Sequence, residues 1–155
     1  MGLDMYLYRE TYVKKWAHQS PEEQFEVTVK KGGETYKDIN SENISNVSEN
    51  IAYWRKFNAL HNWIVENCAN GTDECQRIYV PSEALVELYN TLKQVNEDNS
   101  KAEDLLPTRG GFFFGSTDYD EYYFQEVEES INTLEPYIKS INEGSIADFY
   151  YQSSW

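Results

Sequence analysis

Three short stretches carry the residue types that could do chemistry. The first is Trp54-Arg55-Lys56-Phe57-Asn58-Ala59-Leu60-His61, with two adjacent cations, an indole and an imidazole. Arg can grip a phosphate through two parallel N–H bonds, and Lys offers a point charge. Trp can stack on a flat ligand. His61 can donate to an anion or move a proton. On a helix, Trp54, Asn58 and His61 would share one face. The alternative use of the same residues is structural, with Trp54 and His61 in the core and Arg55 and Lys56 solvated or paired with Glu.

The second stretch is Pro107-Thr108-Arg109-Gly110-Gly111-Phe112-Phe113-Phe114-Gly115-Ser116. Glycines let backbone amides approach a ligand, and Arg109 adds charge for an anion. It is no phosphate-binding P-loop, because the Gly-Lys-Ser/Thr ending is absent. Its other reading is a buried strand between glycines. The third is Ser116-Thr117-Asp118-Tyr119-Asp120-Glu121-Tyr122-Tyr123. Carboxylates there suit a helix start. Clustered, they could also hold a divalent cation or serve as acid and base, although the EF-hand pattern does not fit.

No nucleophile stands beside a base in the sequence. Cys68 and Cys75 do not form a C-x-x-C pair, and only His18 and His61 could complete a metal site with them. No catalytic residue, metal or cofactor is therefore assigned. Both cysteines are expected as reduced thiols.

The charge balance narrows the partners. Thirteen Lys and Arg face 27 Asp and Glu, a formal net charge of −14. That opposes direct nucleic-acid binding and docking on an anionic membrane. It favours solubility and permits imitation of a nucleic-acid backbone. The acid-rich stretch from Asp118 to Glu143 is where such imitation would sit, and its apolar stripe could alternatively be a dimer seam. Aromatics make up 15% of the chain, with 13 Tyr. No apolar run is long enough to span a membrane, and the first residues lack the features of a signal peptide. Tyr6 stands where an N-myristoylation motif needs Ser or Thr. The expected location is the cytoplasm.

These groups must be positioned by the surrounding elements. Leu3, Met5 and Leu7 alternate with Asp4, Tyr6 and Tyr8, which predicts a strand. Residues 25–29 alternate too and end at Lys30-Lys31-Gly32-Gly33, with Thr35 to Ile39 as the returning strand and 40–50 as a loop. Ile51, Trp54, Phe57, Leu60/His61, Ile64 and Cys68 recur at three and four, predicting a helix from about Ser48 to Ala69, capped by Ser48 or Asn50. Asn70-Gly71 should end it. Ile78 to Val80 reads as a strand, and Pro81-Ser82 opens a helix with the stripe Leu85, Leu88, Leu92 and Val95. Residues 96–104 read as a loop. Thr117 or Asp118 should cap a last helix striped by Phe124, Val127, Ile131, Leu134, Ile138 and Ile141, kinked or split at Pro136 and ended by Gly144. Residues 146–151 predict a final strand. The result is a single α+β domain over residues 1–155, a mixed or antiparallel sheet with about three helices packed on it.

Two stretches together, Met1-Gly2-Leu3-Asp4-Met5-Tyr6-Leu7-Tyr8 and Leu106-Pro107-Thr108 through Gly111-Phe112-Phe113-Phe114-Gly115-Ser116 to Asp118-Tyr119-Asp120-Glu121-Tyr122-Tyr123, carry a resemblance. With Tyr53-Trp54-Arg55-Lys56 and His61, the chain resembles a group of small uncharacterised proteins encoded by phages and prophages. The resemblance covers most of the chain outside 15–48 and brings no catalytic residue with it. It implies the setting of a phage accessory protein that counters host defence from within the host cytoplasm.

The expectation is then a binding protein that sequesters a nucleotide-derived signal without turnover. Arg55, Lys56 and Arg109 would hold phosphates, and His61 and Ser116 would assist. Trp54 and one or more of Tyr119, Tyr122 and Tyr123 would stack. Asp118 or Asp120 would accept from ribose hydroxyls or a base amine. A homo-oligomer would help to close such a pocket. The alternatives are an acidic surface inhibitor or DNA mimic, and a nucleotide-cleaving enzyme using His61 and the carboxylates at 118–121.

Overall fold

The alternation at the N-terminus does form a strand. In the computed structural model, which describes residues 1–155, β1 (Asp4–Tyr12) lies inside a four-stranded sheet. The other elements, in chain order, are β2 (Lys30–Lys31), β3 (Glu34–Thr35), β4 (Asn46–Arg55), α1 (Asn58–Cys68), β5 (Ile78–Val80), α2 (Ser82–Glu97), α3 (Ala102–Leu105), α4 (Glu121–Asn142) and β6 (Asp148–Ser154). The sheet order is β4-β1-β6-β5 and every pairing is antiparallel. The class is α+β, with β2 and β3 forming a separate small hairpin.

Period two assigns the faces of the sheet. Leu3, Met5, Leu7, Ala52, Trp54, Ile78, Val80, Phe149 and Tyr151 are buried beneath the helices. The opposite face carries Tyr53, Tyr6, Tyr8, Tyr150 and Tyr79, neighbours across the strands. Much of the tyrosine content therefore coats the uncovered face. The Arg77 guanidinium lies 3.7 Å over the Tyr150 ring there, within cation–π range. On the helical side, Leu85, Leu88, Leu92 and Val95 of α2 are buried, as their spacing predicts. So are Val127, Leu134 and Ile138 of α4, while Phe124, Ile131 and Ile141 pack partly buried against the same core.

The largest correction concerns residues 46–57. The expected helix from Ser48 begins only at Asn58, and Asn46 to Arg55 is strand β4. The register of β4 on β1 shifts opposite Leu7 and Tyr8, where Ala52 and Asn50 are partners and Ile51 is the extra residue. This β-bulge turns two successive residues, Ile51 and Ala52, toward the covered side. The inward set thus jumps from Val47, Glu49 and Ile51 to Ala52 and Trp54. Strict alternation is lost, and the Ile51–Trp54 interval of three imitates a helix.

Other boundaries move for local reasons. Residues 25–29 form no strand, and the hairpin is confined to two residues on each side of Gly32-Gly33, away from the main sheet. Residues 99–105 wind into a 3-10 turn and then α3 rather than an open loop. Residues 110–116 hold a single turn at 112–114 within irregular chain, not a buried strand, and Phe112 is 96% exposed. Asp120 caps α4, accepting from the Tyr123 N–H at 3.0 Å, in place of Thr117 or Asp118. Helix α4 runs unbroken through Pro136. Its missing N–H would have served the carbonyl of Asn132, and both residues are exposed, so water can replace that donor. The helix ends before Gly144, and α1 ends before Asn70-Gly71, all three at positive φ.

Candidate functional site

The chain must turn sharply between β4 and α1, and Lys56 makes that turn with φ = 58°. A left-handed lysine is strained, since its Cβ crowds the following carbonyl. Its backbone is anchored by the Lys56 N–H donating to the Leu3 carbonyl at 2.8 Å. Its stem runs against Gly2 and Gly115. A Cβ at Gly2 would stand 2.8 Å from Lys56 Cε, and one at Gly115 would stand 3.1 Å from Lys56 Cβ. The two glycines thus form a slot for the aliphatic chain. Lys56 is an exposed residue, and its ammonium has no carboxylate within ion-pair distance.

Lys56 opens onto a cavity of about 250 Å³ between the β4–α1 turn, the 115–120 segment and the first turns of α4. Arg55, Lys56, Ser116, Asp118, Asp120 and Tyr122, named from sequence, all line it. Arg55 leans on Asp4 at 3.4 Å, an exposed pair of little energetic weight. Phe57 and Asn58, where α1 begins, form another wall, and no side chain caps that helix. Free N–H groups and the helix dipole therefore add positive potential on the same side as the two cations.

The facing wall is acidic. Asp118, Asp120 and Glu126 line it, with Tyr122 exposed at its rim. Burial, helped by the charge of Glu129, pushes the Glu126 carboxyl above the usual carboxylate range. Tyr123 closes the inner end. Its hydroxyl donates to the Leu106 carbonyl at 2.7 Å, and burial pushes its pKa up, so it stays protonated. The cavity is thus dipolar, with donors and cations on one wall and carboxylates on the other.

Asn58 holds the 108–116 segment in place. Its Nδ2 donates to the carbonyls of Phe114 at 2.9 Å and Ser116 at 2.8 Å, and its Oδ1 accepts from the Arg109 N–H at 3.0 Å. The side chain is 2% exposed. Sequence reading placed Asn58 on a helix face without giving it this role. Glu126, Phe57, Thr108 and the Gly2–Gly115 slot were likewise missed.

Four expected site residues lie elsewhere. Trp54 belongs to the core, where its Nε1 donates to Ser130 Oγ at 2.8 Å. Being on a strand rather than a helix, it faces away from Arg55. Tyr119 packs edge-on against Tyr123 and its hydroxyl accepts from the Thr108 N–H, so it braces the segment without lining the cavity. Arg109 lines a different pocket. His61 is sealed in the core with no exposed surface.

His61 forms a buried relay instead. Its Nε2 lies 3.0 Å from Asp73 Oδ2, and its Nδ1 lies 2.7 Å from the Tyr151 hydroxyl. Burial lowers the His61 pKa despite Asp73, with the charge of Arg109 acting the same way, so the ring is neutral. Burial also raises the Tyr151 pKa well above its ordinary value, so Tyr151 keeps its proton. The tautomer follows from the partners: Nε2–H donates to Asp73, and Nδ1 accepts from Tyr151. This arrangement satisfies both ring nitrogens, and the His61 ring itself has no exposed surface to offer a ligand.

No protein-family model, curated protein or solved structure matches the chain. No helix is long and apolar enough to cross a membrane.

Proposed function

We propose that this protein binds a small phosphorylated, nucleotide-derived ligand in the Lys56 cavity and holds it without turnover. The single observation behind this reading is Lys56 itself. A strained backbone is retained, two glycines make room for the stem, and the ammonium is left without a carboxylate at the mouth of a cavity. Such strain persists where the surrounding structure over-determines it, often at ligand clamps. A phosphate at Lys56 and Arg55 would also meet the uncapped start of α1. Asp118 and Asp120 would accept from sugar hydroxyls or a base amine, and Tyr122 would stack. The cavity, about 250 Å³, suits a mononucleotide or one part of a larger nucleotide. Sealing of His61 in the core favours sequestration over cleavage, because the imidazole proposed for acid–base work cannot reach this cavity. Capture of a host defence signal is the role that this chemistry would serve in a phage accessory protein.

The test is calorimetric titration with mononucleotides, cyclic oligonucleotides and ADP-ribose, followed by mass analysis of the recovered ligand. One of these should bind saturably and be recovered unchanged. Lys56→Gly should then separate binding from stability. Removing the left-handed strain should raise the unfolding free energy by about 1 kcal/mol. Loss of the charge-assisted contact should weaken binding by about tenfold or more. Undiminished affinity in this variant would refute the site.

A further inference from the structure

The pocket that holds Arg109 has no part in the site above, and no residue lines both. It measures about 320 Å³, within the range of small-molecule sites, and is bounded by Asp73, Arg109, Gly110, Phe112, Phe114 and Trp155 among others. Arg109 Nη1 is shielded from solvent and has no hydrogen-bond partner, the only buried side-chain nitrogen or oxygen in this state. A buried guanidinium N–H left unmade is costly, so a small turn of the Arg109 side chain toward a partner in this pocket would be repaid by the hydrogen bond it gains.

The nearest candidate within the chain is already committed. Asp73 lines the same pocket, but its Oδ2 lies on His61 Nε2 and its Oδ1 accepts from Trp155 Nε1 at 3.2 Å. Arg109 makes no ion pair. The backbone beside it is fixed, because the Arg109 N–H donates to Asn58. Gly110 and Gly111 are exposed residues that line the same pocket, and their N–H groups donate to nothing within the chain.

The walls are aromatic. Trp155 meets Phe114 edge-on at 5.9 Å, and Phe112 meets Phe113 edge-on at 4.9 Å. Phe112 is 96% exposed, an apolar ring presented to solvent. Such rings accept another flat ring edge-to-face or offset.

We propose that this pocket is a second binding site, for a planar aromatic carboxylate, whose carboxylate pairs with Arg109 and whose ring lies against Phe112 and Trp155. Charge selects a carboxylate over a phosphate. Arg109 and Asp73 together carry no net charge in this pocket, so a bound carboxylate leaves an excess of one negative charge, whereas a dianionic phosphate leaves two and meets the stronger repulsion from Asp73. The guanidinium fork matches the two oxygens of a carboxylate.

The probe is indole-3-carboxylate, titrated into the full chain and followed by two-dimensional NMR. Saturable shifts should appear at the Gly110 and Gly111 amides. The neutral indole-3-carboxamide should bind about tenfold or more weaker, as should the carboxylate to Arg109→Gln. Phenyl phosphate should bind more weakly than benzoate. If Arg109→Gln fails to fold by circular dichroism, Arg109→Lys keeps the charge, loses the fork and should still weaken binding measurably. The proposal is overturned by no saturation up to about 10 mM carboxylate, by carboxamide binding equally well, by a folded Arg109 variant of unchanged affinity, or by phenyl phosphate binding as well as benzoate. Because Lys56 lines none of this pocket, the outcome is independent of the nucleotide reading.

Discussion

Replacing Asn58 by aspartate is expected to lower the unfolding free energy by about 3 kcal/mol or more. The new carboxylate would face the carbonyl oxygens of Phe114 and Ser116 at the positions where Nδ2 now donates. Two hydrogen bonds would become repulsions around a side chain that is 2% exposed. Asn58→Ala removes the same donors without adding charge and should cost about 2 kcal/mol, since water can reach part of the loosened segment. Urea unfolding measures both. The 108–116 segment contributes to both pockets, so hydrogen exchange should accelerate at the Arg109 amide, which Asn58 now protects. An Asn58→Asp stability within about 0.5 kcal/mol of the parent would mean that the segment is held by something else.

The second large effect is at His61. His61→Leu would leave Asp73 Oδ2 and the Tyr151 hydroxyl without their shared partner, at an expected cost of about 3 kcal/mol. The same relay predicts a pH dependence of defined sign. The folded pKa of His61 lies below its unfolded value of about 6.5. The unfolded chain therefore binds the extra proton first as the pH falls. The stability contributed by neutral His61 is complete above about pH 6.5 and declines below it, by up to about 1.4 kcal/mol per pH unit. Glu126, with its raised folded pKa, works in the opposite direction at lower pH. The difference between the parent and His61→Gln isolates the His61 contribution, because both share Glu126. Unfolding free energies of the two proteins from urea titrations between pH 8 and pH 5 should converge as the pH falls, by up to about 1.4 kcal/mol per pH unit. A gap that stays constant across this window would show that His61 is not held neutral by the fold.

Long, regular elements were legible from their periods. β1, α2 and most of α4 were predicted with their core faces correct, because side chains three, four or two residues apart report directly on which side is buried. The glycine at 144 and the Asn70-Gly71 pair marked helix ends because positive φ is a local property. β4 was misread because a bulge at Ile51 is defined only by its partner strand. The Gly110–Ser116 run looked like a strand by apolar content alone, and its real form depends on Asn58, far away in the chain.

The candidate site divides along the same line. From the chain alone came the chemical inventory: two adjacent cations, a carboxylate-rich helix start, a glycine segment and many tyrosines in an acidic protein. Six of the proposed residues, Arg55, Lys56, Ser116, Asp118, Asp120 and Tyr122, do meet around one cavity. Which neighbours were core and which were surface was decided only in three dimensions. Trp54 is paired with Ser130 across 76 residues, His61 with Tyr151 across 90, and Asn58 with Phe114 across 56. A side chain's type sets what it can bond to, and that is written locally. Whether it is buried, satisfied or left free, as the Lys56 ammonium and Arg109 Nη1 are, depends on groups brought together by packing at long sequence separation.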